Sequence, residues 1–273
     1  MPVTVTTAAT AAAAAAAVAA DRGARLLAGG TLLMRALNEG DVSITSVIRL
    51  ADRTLSDART SGSRVTIGAS MTLAQIAGDR ELAFLHPVVR TIAGPAVRTA
   101  ATIGGNLFAP APFGDLGVAL LALDGRVTTA GGYGAREMSL EEFFAGRDRM
   151  SGAVVTSISC ERPTQPDAFR WRKVSRVKPK GASVIAIAAF VPSSGARVVG
   201  PRIAYGAMAP TPLRARAAER ALEGRSLDDA GIAAAVAAAA EGTAPATDAI
   251  ASAWYRREVV GVHLRRLLLG LEA

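Results

Sequence analysis

Two pairs of adjacent glycines, Gly29-Gly30 and Gly104-Gly105, restrict what this chain can build more than any other feature. The second sits in Thr102-Ile103-Gly104-Gly105-Asn106, and the first in Ala28-Gly29-Gly30-Thr31, about seventy residues earlier. A glycine pair has no side chains to hold other groups off, so backbone N–H groups there can approach an anion, and positive φ is available. The same pair is also what a plain tight turn uses, and one alone would carry little. Asn106 adds a donor and an acceptor, and Asp115, beyond the turn Ala109-Pro110-Ala111-Pro112, adds an acceptor for hydroxyls. Two such bends followed by these polar groups suit a ligand made of phosphate and sugar, such as a nucleotide.

Other routes to a nucleotide are missing. No G-x-G-x-x-G follows a strand, and no G-x-x-x-x-G-K-[ST] occurs. There is no H-E-x-x-H or G-x-S-x-G, and no carboxylate pair stands out for acid–base work. The single cysteine, Cys160, excludes both a disulfide framework and an iron–sulfur cluster held by this chain alone. It reads as a small buried residue in a strand. Two histidines, His86 and His263, are too few for a histidine-rich metal site. A chain this poor in catalytic groups leaves the chemistry to a cofactor.

With 273 residues, half of them hydrophobic, the chain can bury one large core or two ordinary ones. Its net charge of +8 and pI near 10.6 raise the question of nucleic acid. The arginines are spread out and aromatics are only 4% of the chain, so no nucleic-acid partner is expected. No membrane span is expected either. The run Ala8–Ala20 lacks a basic leader and reads as a poly-alanine helix rather than a secretory signal, so a cytoplasmic location is expected.

Along the chain, strands are predicted at 25–28, 47–50, 65–69, 127–130 and 154–161, with residues 1–7 a strand or a frayed end. Helices are expected at 32–38, 73–77 with Thr72 as N-cap, 86–93, 116–123 capped by Asp115, and from the Ser139 capping box through Phe144. Residues 51–63 read as turns, 96–101 as extended, and 131–134 as a hairpin. Arg162–Asp167 reads as a linker, dividing a domain at 1–162 from one at 168–273. Three strands (168–176, 183–191, 198–207) and then three helices (214–222, 228–240, 250–269) predict α+β segregation in the second domain. In the last helix Val259 and Val262 are placed on an apolar face, and Arg256, Arg257, Arg265 and Arg266 on a solvated one.

Leu26-Leu27-Ala28-Gly29-Gly30-Thr31, Gly94-Pro95-Ala96-Val97-Arg98, Thr102-Ile103-Gly104-Gly105-Asn106-Leu107 and Asp115-Leu116 resemble the FAD-binding subunit of molybdenum hydroxylases, the xanthine dehydrogenase and carbon monoxide dehydrogenase group. The likeness continues through Leu120–Asp124, Ser139–Phe144, Lys173 with Arg176, Arg202–Ala207 and Tyr255-Arg256-Arg257, and covers nearly everything from residue 22. It implies a two-lobed α+β FAD-binding domain, like that of vanillyl-alcohol oxidase, then a domain with a three-stranded antiparallel sheet and a helical bundle. It implies FAD on this chain, with molybdopterin on a large partner subunit and [2Fe-2S] clusters on a small one, in a heterotrimer that pairs as (αβγ)2. Electrons would pass from those clusters through FAD to an external acceptor.

Carried over by position, the resemblance makes Leu27, Ala28, Gly29, Gly30, Thr31 and Leu32 the first cofactor-binding stretch and Thr102, Ile103, Gly104, Gly105 and Asn106 the second. Asp115 accepts from sugar or ribityl hydroxyls, Ile92 and Val155 touch the cofactor through apolar atoms, and Lys173 lies near the flavin ring. The acidic residue that the family has after the first loop's threonine is replaced by Leu32 or deleted, and Ile92 stands where an aromatic would be expected. Two other readings stay open: a scaffold subunit that kept the fold and lost the cofactor, and a stand-alone flavin oxidoreductase.

Overall fold

The structure is a computed structural model describing residues 2–131, 134–150, 152–165, 167–177 and 181–271. It divides into two compact units that are not contiguous in sequence. The first holds residues 1–83, 94–109 and 125–160, and the second holds 84–93, 110–124 and 161–273. Pro166 of the linker and residues 132–133 of the hairpin lie outside the described residues.

The first unit has two sheets. Thr4–Ala8, Ser46–Leu50 and Ala24–Leu27 form a parallel three-stranded sheet with Ser46–Leu50 in the centre. Helix Ala11–Ala20 packs on it, capped by Thr10, whose side chain accepts from the Ala13 amide. Alanine both favours the helix and lets it approach closely: Ala11, Ala14 and Ala15 share a core with Ala8, Ala24, Ile48 and Val154. The second sheet has five strands in the order Ala58–Ser61, Arg64–Gly68, Val154–Glu161, Arg126–Ala130, Arg136–Ser139. Ala58–Ser61 falls in the stretch read as turns. It is the polar edge half of a hairpin that turns at Gly62, where φ is +58°, and polar edge strands carry little hydrophobic pattern.

Two capping boxes fix helices in this unit. Thr72 pairs reciprocally with Gln75 ahead of Leu73–Gly78, and Ser139 with Glu142 ahead of Leu140–Gly146. The segment expected to be extended before the second glycine pair contains a helical turn, Pro95–Arg98, with proline at its first position, where its lost N–H costs nothing.

The second unit is built on an antiparallel sheet ordered Leu213–Arg214, Arg202–Gly206, Ser183–Phe190, Phe169–Ser175. Three strands were expected. The fourth is two residues long and follows two prolines, too short to leave a pattern. A further short hairpin joins Ser193–Ser194 to Arg197–Val198. Every residue of Ser183–Phe190 is buried, because both faces of the sheet are covered. Ile185, Ile187 and Ala189 face a cluster with helices Arg216–Leu222, Asp229–Ala237 and Ala253–Leu268. The other face carries helix Asp115–Ala122, where a Cβ on Gly206 would lie 2.7 Å from Val118. The second cover thus comes from an earlier stretch of chain, outside the domain drawn at 168–273.

The terminal helix also departs from expectation. Its buried face is Arg256, Val260, Leu264, Leu267 and Leu268, while Val262 is 50% exposed. Arg256 is buried because backbone oxygens line its pocket. Its guanidinium donates to the carbonyls of Val184, Ala246 and Ala251 and pairs with Asp248 at 2.9 Å. Among the described residues no helix is long and apolar enough to cross a membrane.

Candidate functional site

In the first unit, strand Ala24–Leu27 runs into the first glycine bend, and helix Leu33–Asn38 leaves it. Gly30 has φ +71°, which a residue with a side chain adopts only under strain, and its carbonyl accepts from the Met34 amide at 2.8 Å. Among the described residues, the backbone amides of Ala28, Gly29, Gly30, Thr31 and Leu32 donate no hydrogen bond to the protein backbone. Ala28 is exposed, Leu32 is 40% exposed, and the residues between are half-buried. A run of open amides ahead of a helix has the donors that an anion could use.

The second bend is used differently. Ile103–Asn106 is a single helical turn, capped by Thr102, whose Oγ1 accepts from the Gly105 amide at 3.1 Å. The Ile103 amide donates to Met71 O and the Gly104 amide to Ala69 O, each at 2.9 Å, and the Asn106 amide to Thr102 O at 3.0 Å. The amides from Ile103 to Asn106 are therefore already engaged within the chain. Gly104 is there for space, since a Cβ on it would lie 2.8 Å from Ala69 O, whereas one on Gly105 would meet Ala28 Cβ only at an ordinary 3.7 Å. The two bends approach at Gly29, where a Cβ would lie 2.0 Å from Ala100 O, two residues ahead of Thr102. The one beginning at Ala28 has open donors, and the one beginning at Thr102 has its donors engaged.

Arg147 reaches the far end of the second bend, and no local pattern singles it out. Its guanidinium donates to Leu107 O at 2.5 Å and to Ala109 O at 3.4 Å, across about forty residues of chain. Of the other first-unit candidates, Ile103 is wholly buried and its amide is engaged by Met71 O. Val155 is also buried, in the five-stranded sheet opposite Thr129.

The second unit holds a separate cluster. Asp115 lies in the first turn of its helix rather than at the cap, which is Gly114 with φ +90°. Its Oδ2 pairs with Lys173 Nζ at 2.8 Å, and its Oδ1 accepts from Ser183 Oγ at 2.7 Å. Both charged side chains are 6% exposed. Lys173 Nζ also donates to Thr91 O at 2.9 Å. Thr91 and Ser183 are thus partners that the sequence reading missed, and neither carries a local signal. Ile92 follows Thr91 and is half-buried. With its charge balanced by Asp115, Lys173 projects a weaker field than an isolated ammonium would. Cys160 is buried, and no group of metal-ligating side chains occurs among the described residues.

Residues 1–160 match the family model described as the FAD binding domain in molybdopterin dehydrogenase, and residues 171–271 match that of the CO dehydrogenase flavoprotein C-terminal domain. The carbon monoxide dehydrogenase medium chain of Afipia carboxidovorans is 32% identical over 251 residues, covering 89% of this chain and 87% of that protein. The glyceraldehyde dehydrogenase medium chain of Sulfolobus acidocaldarius is 30% identical, covering 87% of each. Among solved structures, a chain of the reconstituted CO dehydrogenase from Oligotropha carboxidovorans aligns with a TM-score of 0.91 at 28% identity, over 98% of this chain and 96% of that one.

Proposed function

Because this chain belongs to the family of FAD-binding medium chains of molybdopterin dehydrogenases, we propose that its first glycine bend holds the diphosphate of FAD and that the chain is the electron-transfer subunit of a molybdenum-containing dehydrogenase. The observation that carries the diphosphate assignment is the run of open amides from Ala28 to Leu32 beside glycines that the packing demands. Those donors fit a diphosphate, whose oxygens accept several N–H bonds at once. They also argue against a scaffold that has lost its cofactor, since open donors would serve no purpose there.

The bound flavin supplies the redox chemistry, accepting and releasing electrons. The chain's own part is to hold and orient it. Gly30, held at positive φ, aims the amides of its neighbours to one side. Thr31 adds a hydroxyl beside them, and the turn Ile103–Asn106 keeps the bend from opening. Leu27, Leu32, Asn106 and Val155 are proposed as further contacts in the first unit. Ile92, Asp115 and Lys173 are proposed in the second, on the family resemblance.

The partners are proposed on the family resemblance. Electrons would arrive from [2Fe-2S] centres on a small subunit and originate at a molybdopterin on a large one, and this chain's one cysteine cannot itself hold a cluster. The finer reading is a heterotrimer that pairs as (αβγ)2, in the cytoplasm, with the two-lobed fold of vanillyl-alcohol oxidase in the first unit. Purification of the native complex tests this. The expected result is flavin absorbance, FAD on extraction, and two co-purifying polypeptides that carry molybdopterin and iron. A complex without flavin would overturn the assignment.

A further inference from the structure

We infer that Arg147 is a positioning residue for the flavin cradle: it clamps the far end of the second glycine turn, and through that turn it sets the shape of the bend that donates to the diphosphate. The inference rests on the FAD reading above and concerns only the first unit. Leu107 is the C-cap of the turn Ile103–Asn106, where carbonyls lack helical partners. The Arg147 guanidinium reaches Leu107 O at 2.5 Å and Ala109 O at 3.4 Å, and its side chain is only 7% exposed. Burial pushes its pKa below the usual arginine value, against the opposing pull of Asp148. Asp148 balances the charge poorly, with its carboxylate 86% exposed and 3.4 Å from Nε. A buried cation so weakly paired is costly to keep, and its return here is the fixed carbonyl of Leu107.

The rest of its helix grips the same segment. Phe143 stacks edge-on against Phe108 with ring centroids 5.4 Å apart, and Phe144 lies 5.8 Å from the guanidinium. The capping box at Ser139 and Glu142 fixes where that helix starts. On its other side the turn is tied to Ala69 O and Met71 O. Held from both sides, the turn fixes Ala100 and Ala101 just ahead of it, and Gly29 of the first bend packs against them with no room for a side chain, so the first bend keeps one shape. Without Arg147 one of the two restraints is gone, and the cradle becomes a looser fit for a rigid diphosphate.

The test titrates flavin-depleted full-length chain with FAD, for wild type, R147M, R147K and R149M. Arg149 lies in the same turn but donates only to Ala145 O at the surface, so R149M is the control. R147M is expected to raise the FAD Kd about tenfold or more, R147K by less, and R149M not at all. Amide hydrogen exchange should quicken at Asn106, Leu107 and Phe108 in R147M, with the strands of the five-stranded sheet unchanged, which a general loss of stability would not produce. An R147M Kd within about twofold of wild type would overturn the clamp. If R147M does not fold, R147K carries the test, and unchanged affinity with unchanged exchange overturns it. If wild type binds no FAD, the flavin reading falls, and the clamp is then decided by the exchange pattern alone.

Discussion

A side-chain Cβ at Gly29 would fall 2.0 Å from the carbonyl oxygen of Ala100, so the two glycine bends approach more closely than any other residue at position 29 allows. This contact brings a bend with open donors against a turn whose own donors are satisfied. It explains why position 29 has to be glycine.

Substituting Gly29→Ala must therefore push the bends apart, because the obstacle is backbone rather than a flexible side chain. FAD affinity should fall about tenfold or more, roughly 1.4 kcal/mol. Gly30→Ala should cost about 1–2 kcal/mol of stability through its positive φ, on top of any loss of affinity. Flavin titration with thermal melting separates the two effects. Wild-type affinity in Gly29→Ala would show that the bends do not depend on each other.

Asp115 and Lys173 form a buried pair, and removing one partner strands the other. Asp115→Asn should destabilise the chain by about 3–5 kcal/mol, and Lys173→Met by a similar amount. The double variant should lose less than the two singles added together, since neither charge is then left alone. Urea midpoints of the four proteins measure this directly, and simple additivity would mean the pair does not interact.

Arg256 offers a third test. Arg256→Leu preserves bulk but leaves the carbonyls of Val184, Ala246 and Ala251 without their donor, and Asp248 without its cation. A loss of about 3 kcal/mol or more is expected, and Arg256→Lys should recover only part of it, because an ammonium cannot reach in several directions as the guanidinium does. Full recovery by lysine would refute the directional role.

His263 should make stability depend on pH. Its pKa lies below the usual histidine value, first because it is partly buried and then because Arg172 and Arg266 repel the proton. Among the described residues its buried Nδ1 has no hydrogen-bond partner. The folded chain thus keeps His263 neutral where the unfolded chain would already bind a proton. Its contribution is present above the unfolded pKa, about 6.5, and is lost as pH falls toward the lower folded value. Urea midpoints at pH 7.5 and 5.5 should differ more for wild type than for His263→Leu. Equal differences would remove His263 from the effect.

Sequence patterns revealed the elements whose signals are local. The capping residues Thr72 and Ser139, the strand 154–161 and the poly-alanine helix are each specified by neighbours a few residues away. What stayed hidden depends on partners far along the chain. Arg256 reads as a surface arginine until its carbonyl-lined pocket is seen, and Arg147 until Leu107 appears forty residues upstream. The glycine pairs were found and read alike, but the amides of the second are engaged within the chain while those of the first are open. Composition alone cannot tell a glycine that exposes an amide, as at 30, from one that makes room for a neighbour, as at 104.

If the open amides of the bend at Ala28–Leu32 bind a diphosphate, the flavin-depleted chain will separate FAD from riboflavin, which carries the same ring and no phosphate, when titrated with each. FAD should bind about a hundredfold tighter or more, roughly 2.7 kcal/mol, with ADP competing for the site. Equal affinity for the two flavins, or no competition by ADP, would contradict it.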